Sequence, residues 1–211
     1  MIALDGPAAS GKSSIGLCAA RELGLGYFDT GLLYRALTWL ALQRGIELSD
    51  AESLTALIEE LNLEVDPVGR VYRKGQNITN ALHEPEVNRA VSAVSAHARV
   101  REAMGPAQRA LVRPPGLVMA GRDIGTVIVP DAPLKIWLNA SAGERARRRA
   151  AQTGEPFERV LEAMQVRDRF DASREVAPMA PAEDAVILET DSLPLAGVVA
   201  EIVRLARERG A

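Results

Sequence analysis

The stretch Gly6-Pro7-Ala8-Ala9-Ser10-Gly11-Lys12-Ser13-Ser14 constrains the fold of this chain more than any other part of it. It follows the apolar run Ile2-Ala3-Leu4 and leads into Ile15-Gly16-Leu17-Cys18-Ala19-Ala20, so a strand, a glycine loop and a helix stand in that order. Gly6 and Gly11 let the backbone turn tightly and present a row of N–H groups, and the helix that starts near Lys12 adds the positive end of its dipole. Together they make an anion cup. Lys12 reaches the outer phosphates of a nucleoside triphosphate as a mobile point charge, and the Ser13 hydroxyl holds the Mg2+ that accompanies it. A glycine turn capping an ordinary helix is the bland alternative, but two glycines, a lysine and a hydroxyl at this spacing, between a strand and a helix, rarely coincide.

With 211 residues the chain can bury one sizeable core, and one domain with insertions is expected before two independent units. A formal charge of -3 argues against a nucleic-acid binder that works by overall charge. The single cysteine, Cys18, falls where the first helix faces the sheet and reads as a small buried apolar residue; with His83 and His97 as the only histidines, no Cys/His metal cluster is available. Met1 runs straight into the first strand, leaving no room for a signal peptide, and no apolar run approaches membrane-spanning length, so the expectation is a cytoplasmic protein without a membrane partner.

Beyond the first helix, Gly24 to Asp29 reads as a short strand and Thr30 to Arg44 as a helix ending at Gly45. Ser49 and Glu52 form a capping-box pattern ahead of Leu54, Leu57, Ile58 and Leu61 at helical spacing. Leu63-Glu64-Val65, Arg70-Val71-Tyr72 and Asn77-Ile78-Thr79 alternate between turn signals and predict a small antiparallel meander. Helical patterns then run from about Glu86 to Val112, with a break expected at Met104-Gly105-Pro106. Gly116 to Ala120 and Leu134 to Leu138 are compact apolar runs suited to strands buried on both faces. Ser141 and Glu144 cap a basic helix, a second helix runs to about Phe170, and Ala185 to Leu188 with the amphipathic stretch from Leu195 close the chain. Alternating strands and helices predict an α/β domain with a five-stranded parallel sheet flanked by helices, carrying the antiparallel β insert and the helical hairpin as additions.

A phosphate-binding loop alone says only that a triphosphate binds. Three arginine-rich segments suggest what receives the phosphate. Asp29-Thr30-Gly31-Leu32-Leu33-Tyr34-Arg35 lies just beyond the second strand, at the carboxyl edge where ligands of such folds bind, though Thr30 equally suits a helix N-cap. Gly121-Arg122-Asp123-Ile124-Gly125-Thr126 follows the third strand at that edge. Arg167 to Arg174 closes the helix hairpin, where a solvated charged helix end is the plainer reading.

These residues resemble the bacterial-type cytidylate kinases, within the nucleoside monophosphate kinases. The resemblance covers nearly the whole chain: the phosphate loop, Asp29 to Arg35, the meander, Val100-Arg101-Glu102-Ala103, Gly121 to Thr126, Glu144-Arg145-Ala146-Arg147-Arg148-Arg149, and Arg174-Glu175-Val176-Ala177-Pro178. It implies a single P-loop kinase domain with its core in 1–62 and 113–211, a monophosphate-binding insert at about 63–112 and a lid at about 145–170. It also implies transfer of the ATP γ-phosphoryl group to CMP or dCMP, with Mg2+; a monomer without nucleic-acid partners is the expectation beside it. By the same resemblance Thr30, Tyr34 and Arg35 contact the acceptor nucleotide; Ser92, Arg101 and Asp123 read its base; Arg167 and Asp171 lie near its ribose and phosphate. Arg122 and Arg174 join Lys12 in neutralising the phosphates, and Arg148 and Arg149 approach ATP from the lid. Thr30 stands where serine is common, which keeps the hydroxyl, and Arg169-Phe170 interrupts a stretch that is often more uniformly charged.

The chemistry of cytosine agrees with this assignment. Its N4 amine donates and its N3 accepts, so Asp123 can accept from the one while Arg101 donates to the other; uracil reverses both groups, and each good pair is worth about 1 to 3 kcal/mol. An internal Arg101–Asp123 ion pair is not the expectation, because both groups would have to leave water without a ligand. Ser92 reads equally as a small residue at a helix packing face. The residues alone leave open another small-acceptor kinase, for UMP, AMP or shikimate, and a P-loop nucleotide switch, although the chain has no Asn-Lys-x-Asp signature for the latter. Arg145 to Arg149 is too short a run to make a nucleic-acid surface.

Overall fold

The structure, a computed structural model, describes residues 1–211. In chain order the elements are β1 (Ile2–Asp5), α1 (Lys12–Leu23), β2 (Gly26–Asp29), α2 (Gly31–Gln43), α3 (Ala51–Glu60), the short strands β3 (Leu63–Val65), β4 (Val71–Arg73) and β5 (Gln76–Asn77), α4 (Pro85–Ala96), α5 (Ala98–Arg109), β6 (Leu117–Gly121), β7 (Leu134–Asn139), α6 (Ala142–Thr153), α7 (Phe157–Ala172), β8 (Val186–Glu189) and α8 (Leu195–Arg209). A single π-helical turn, Ile124–Ile128, follows β6.

All four residues of β1 are buried, as a strand at the centre of a doubly covered sheet requires. The main sheet has the order β2-β6-β1-β7-β8, and every neighbouring pair is parallel. Side chains alternate across it. Ile2, Leu4, Val118, Ala120, Ile136 and Leu138 pack under α1 and α8, whereas Ala3, Phe28, Leu117 and Met119 face α2 and the helices that follow it. The β3-β4-β5 meander is antiparallel, as its alternating sequence predicts, but its third strand is Gln76–Asn77 and not Asn77 to Thr79: Thr79 lies beyond the strand, where its hydroxyl accepts from the Val71 amide at 2.9 Å. Val71, Leu82, Val91, Val100 and Met104 lie in one core cluster with Phe28, Leu37 and Met119, so the insert shares its apolar interior with the second helical layer.

Three local expectations shift. The cap of α3 is Asp50, whose Oδ1 accepts from the Glu52 and Ser53 amides at 3.1 Å, so the helix begins one residue later than the Ser49 pattern implies. α5 runs through Pro106, and the break lies instead at His97, whose extended backbone separates α4 from α5 and whose Nε2 lies 2.8 Å from the Leu48 carbonyl oxygen. The lost N–H of Pro106 is outweighed because Val100 and Met104 are both fully buried on the same helix. Cys18 is only half-buried, since Ile15, Gly16, Ala19 and Ala20 occupy the sheet-facing side of α1.

The chain leaves β1 toward β2 on one side and leaves β6 toward β7 on the other. The loops after β1 and β6 therefore diverge above two adjacent central strands and open a crevice at the carboxyl edge of the sheet.

Candidate active site

The loop that leaves β1 in this crevice is forced into shape by glycine. Gly6 has φ +151°, and a Cβ on it would sit 2.4 Å from the Leu138 carbonyl oxygen. Gly11, at φ +95°, precedes α1 without any side-chain cap, which leaves the first-turn N–H groups open to an anion. Ala9, at φ +56°, takes a left-handed conformation that costs about 1 kcal/mol for a residue with a Cβ. Ala8 and Ala9 pack against Ala146 of α6 and Val160 and Met164 of α7. Lys12 is folded back on its own loop: Nζ donates to the carbonyls of Gly6 at 2.8 Å and Pro7 at 2.6 Å, with Ser10 Oγ at 3.4 Å. Burial, and then the charge of Arg122, push its pKa far below the ordinary lysine value. The Ser13 hydroxyl is exposed and lies 3.4 Å from Asp29 Oδ2, so hard oxygen donors stand beside the loop, the type that Mg2+ takes.

Facing this loop is a cluster of arginines with fewer carboxylates. Arg122 Nε donates to Asp171 Oδ2 at 3.2 Å, and Arg174 pairs with the other oxygen of the same buried carboxylate. Arg174 also donates to Ser95 Oγ at 3.2 Å. Arg35 is held by the Leu82 carbonyl at 3.1 Å and Asn88 Oδ1 at 2.6 Å, both from the insert. Arg167 has no protein partner for its buried Nε; burial and then Arg122 lower its pKa to about 10. The Nε atoms of Arg101 and Arg174 are buried and unpartnered too. Buried guanidinium groups with free N–H donors, crowded by one another, suit an anion that brings its own oxygens.

Arg101 and Asp123 do form an internal ion pair, at 2.5 Å with side chains 5% and 8% exposed, contrary to the sequence-based expectation. The withdrawal from water is offset by further partners: Arg101 donates to the Ser95 carbonyl at 3.1 Å and lies 5.4 Å from the centroid of the Tyr34 ring, whose hydroxyl accepts from Gln108 at 3.1 Å. Thr30 takes the N-cap position of α2 but does not cap with its side chain; its hydroxyl donates to the Ala120 carbonyl at 3.0 Å. Gly121 leaves room for this arrangement, since a Cβ there would meet Thr30 Oγ1 at 2.9 Å and Ile124 Cδ1 at 2.6 Å.

Arg148 and Arg149, both expected to approach ATP, part company. Arg148 is bound to Glu144 and to the Thr190 carbonyl at 2.6 Å and hydroxyl at 3.2 Å, beside the end of β8. Arg149 is exposed on another side of α6, near enough to Arg35 and His83 for its charge to lower the pKa of both, behind burial in each case. Arg145 is buried, donates to the Ala8 carbonyl at 3.0 Å and pairs with Asp168 of α7 at 2.6 Å, so it fastens α6 and α7 to the phosphate loop.

Ser92, singled out in the sequence, contributes its carbonyl to Ser95 Oγ at 3.2 Å. Ser95, one turn on, is the residue that touches both Arg101 and Arg174. Neither it nor Asn88 carries any sequence signal, because each acts through a partner distant in the chain. Asp5 and Asp29 did carry one: each is an acidic residue at the carboxyl end of a buried parallel strand.

Comparison with known proteins agrees with this geometry. The family described as "Cytidylate kinase" matches residues 2–208. The cytidylate kinase of Geobacillus sp. (strain WCH70) is 43% identical over 216 residues, covering 99% of this chain and 96% of that protein. The bifunctional pantoate ligase/cytidylate kinase of Synechococcus sp. (strain JA-3-3Ab) is 45% identical over 99% of this chain but only 41% of its own length, so the chain spans about two-fifths of such relatives. An uncharacterized protein from Eubacterium ventriosum ATCC 27560 shares the fold, with a TM-score of 0.55 at 11% identity over 98% of this chain and 97% of that one. The phosphate loop, the arginine cluster opposite it and the near full-length match together make this chain a member of the cytidylate kinase family.

Proposed function

We propose that this protein transfers the γ-phosphoryl group of ATP to CMP or dCMP, giving ADP and the corresponding diphosphate. The observation that carries the reading is the Arg101–Asp123 pair, beside Tyr34, with the buried, unpartnered Nε atoms of Arg167 and Arg174 in the same arginine cluster. A carboxylate for the cytosine amine next to a guanidinium for N3 selects cytosine over uracil, and the remaining arginines suit phosphate. Gly6 to Ser14 hold the donor phosphates, with Arg149 and the Thr190-bound Arg148 flanking them from the lid. Thr30, Tyr34, Arg35, Ser92, Arg101, Asp123, Arg167 and Asp171 hold the acceptor.

In the transfer, an oxygen of the acceptor phosphate bonds to the γ-phosphorus as the bond to the β,γ-bridging oxygen breaks, and that oxygen leaves with ADP. Lys12, Arg122 and Arg174 neutralise the charge spread over the moving group, which requires Lys12 to exchange the Gly6 and Pro7 carbonyls for phosphate oxygens. Mg2+ would be held by Ser13 together with the nucleotide phosphates and would supply further charge neutralisation. The hairpin turn at Thr153-Gly154-Glu155 and the insert from Leu63 close to exclude water. We place the protein in the cytoplasm as a monomer without nucleic-acid or membrane partners; its charge of -3 supports the former exclusion, and no helix is long and apolar enough to cross a membrane.

ADP release with ATP and Mg2+, measured across CMP, dCMP, UMP, AMP and shikimate, tests the reading. Rapid turnover is expected with CMP and dCMP, and none with any acceptor in the Lys12→Ala variant. Rapid transfer to UMP with little to CMP would overturn the choice of base.

A further inference from the structure

Asp5 is a carboxylate inside a buried strand, only 4% exposed, and the next residue, Gly6, opens the phosphate loop. Its Oδ1 accepts from the Ile124 amide at 2.9 Å and its Oδ2 from the Gly125 amide at 2.7 Å. Those two amides directly follow Arg122 and Asp123 in the chain. The register between β1 and β6 ends with Asp5 opposite Gly121. Beyond that point the carboxylate continues the connection, joining the start of the donor loop to the turn that presents a phosphate arginine and the base-reading aspartate.

The charge does not serve the core. Burial raises the Asp5 pKa to about 6, against the lowering by the two amides, with Asp123 adding to the rise and Lys12 opposing it. A neutral residue would sit in β1 at lower cost, so the two-oxygen grip on adjacent amides is what the carboxylate provides.

We propose that Asp5 is a positioning residue for phosphoryl transfer: it holds the Arg122–Asp123 turn at a set distance from the phosphate loop, so that donor and acceptor phosphates meet in line. The inference rests on the ATP-to-CMP reading above. Because in-line transfer depends steeply on the separation of the reacting atoms, loosening this tie acts on kcat more than on the binding of either nucleotide alone.

Asp5→Asn keeps the size of the side chain but turns one accepting oxygen into a donor facing an N–H. With ATP and CMP saturating, kcat is expected to fall about tenfold or more, while calorimetric affinities for CMP alone and ATP alone change less than about threefold. The melting temperature at pH 7 is expected to stay within about 4 °C of the wild type. An Asn variant with wild-type kcat overturns the proposal, as does one whose melting temperature falls while kcat per folded molecule holds. Should that variant not fold, hydrogen exchange in the unaltered protein decides: slow exchange at the Ile124 and Gly125 amides supports the tie, and exchange at open-loop rates overturns it. A wild type that transfers to CMP beside an unaffected Asn variant removes only the role of Asp5, whereas a wild type silent with every acceptor removes the kinase reading and this role with it.

Discussion

Replacing Asp123 by Asn separates base reading from scaffolding. The substitution leaves the Arg101 guanidinium buried at 5% exposure with an amide oxygen in place of a carboxylate 2.5 Å away. For charge centres about 4 Å apart at an effective dielectric near 20, the lost attraction is about 4 kcal/mol. Removing one partner of a buried pair costs about 3 to 5 kcal/mol, and the low end applies here because Asn still accepts from Arg101 and because Ser95 and Tyr34 still contact it. Thermal unfolding is therefore expected roughly 6 to 12 °C lower, at about 2 to 4 °C per kcal/mol for a chain of this length. The second effect is on choice of acceptor. Asn can turn its amine toward the O4 of uracil, so the ratio of kcat/KM for CMP over UMP is expected to shrink by about fivefold to a hundredfold. Calorimetry or fluorescence-monitored melting reads the first quantity, and coupled ADP release with the two acceptors reads the second. A variant that melts early yet keeps the wild-type CMP:UMP ratio would refute the base-reading scheme, because the pair would then be a strut.

Three further outcomes follow from the same contacts. Ser95→Ala removes the hydroxyl that accepts from Arg174 but leaves the carbonyl that accepts from Arg101, so kcat/KM for CMP is expected to fall about fivefold, with recovery in Ser95→Thr. Asp5 binds its proton more tightly in the folded chain, at about 6 against 3.8 unfolded, so its contribution is fully present below the unfolded value and is lost as pH rises through about 6. The wild type is therefore expected to lose about 2 kcal/mol relative to Asp5→Asn between pH 4 and pH 7, as read by urea unfolding at each pH; a constant difference would show that Asp5 does not titrate in this range. Pro106→Ala returns the missing N–H to an exposed position in α5 and is expected to raise stability by about 1 to 2 kcal/mol, checked by the urea midpoint; a lower midpoint would mean that the proline limits the unfolded chain more than it disturbs the helix.

Much of the fold is legible in local pattern. The glycine spacing from Gly6 to Gly11, the apolar runs of β1, β6 and β7 and the turn-separated pieces of the meander each act within a few residues, and those residues form the expected elements, except that the third meander strand is Gln76–Asn77 and not Asn77 to Thr79. The one-residue shift of the α3 cap marks the limit of such reading: Ser49 and Asp50 are both good caps, and the backbone entering the helix decides between them. Pro106 marks another, since a local rule against proline in a helix yields to the burial of Val100 and Met104.

The site divides along the same line. The candidate phosphate loop and the arginines beyond the strand ends are legible in the sequence, because such a loop and such a charge cluster need particular side chains at particular spacings. How those side chains are paired is visible only once the chain is packed. Lys12 lies on its own loop, Arg101 on Asp123, Arg148 on Thr190, while Arg149 stays free. Ser95 joins two arginines and Asp5 joins two loops. The physical reason is distance along the chain: apart from Lys12 and the Ser95–Arg101 contact, these partners lie tens of residues away or more, and a buried donor donates to whichever oxygen the packed fold brings within about 3 Å.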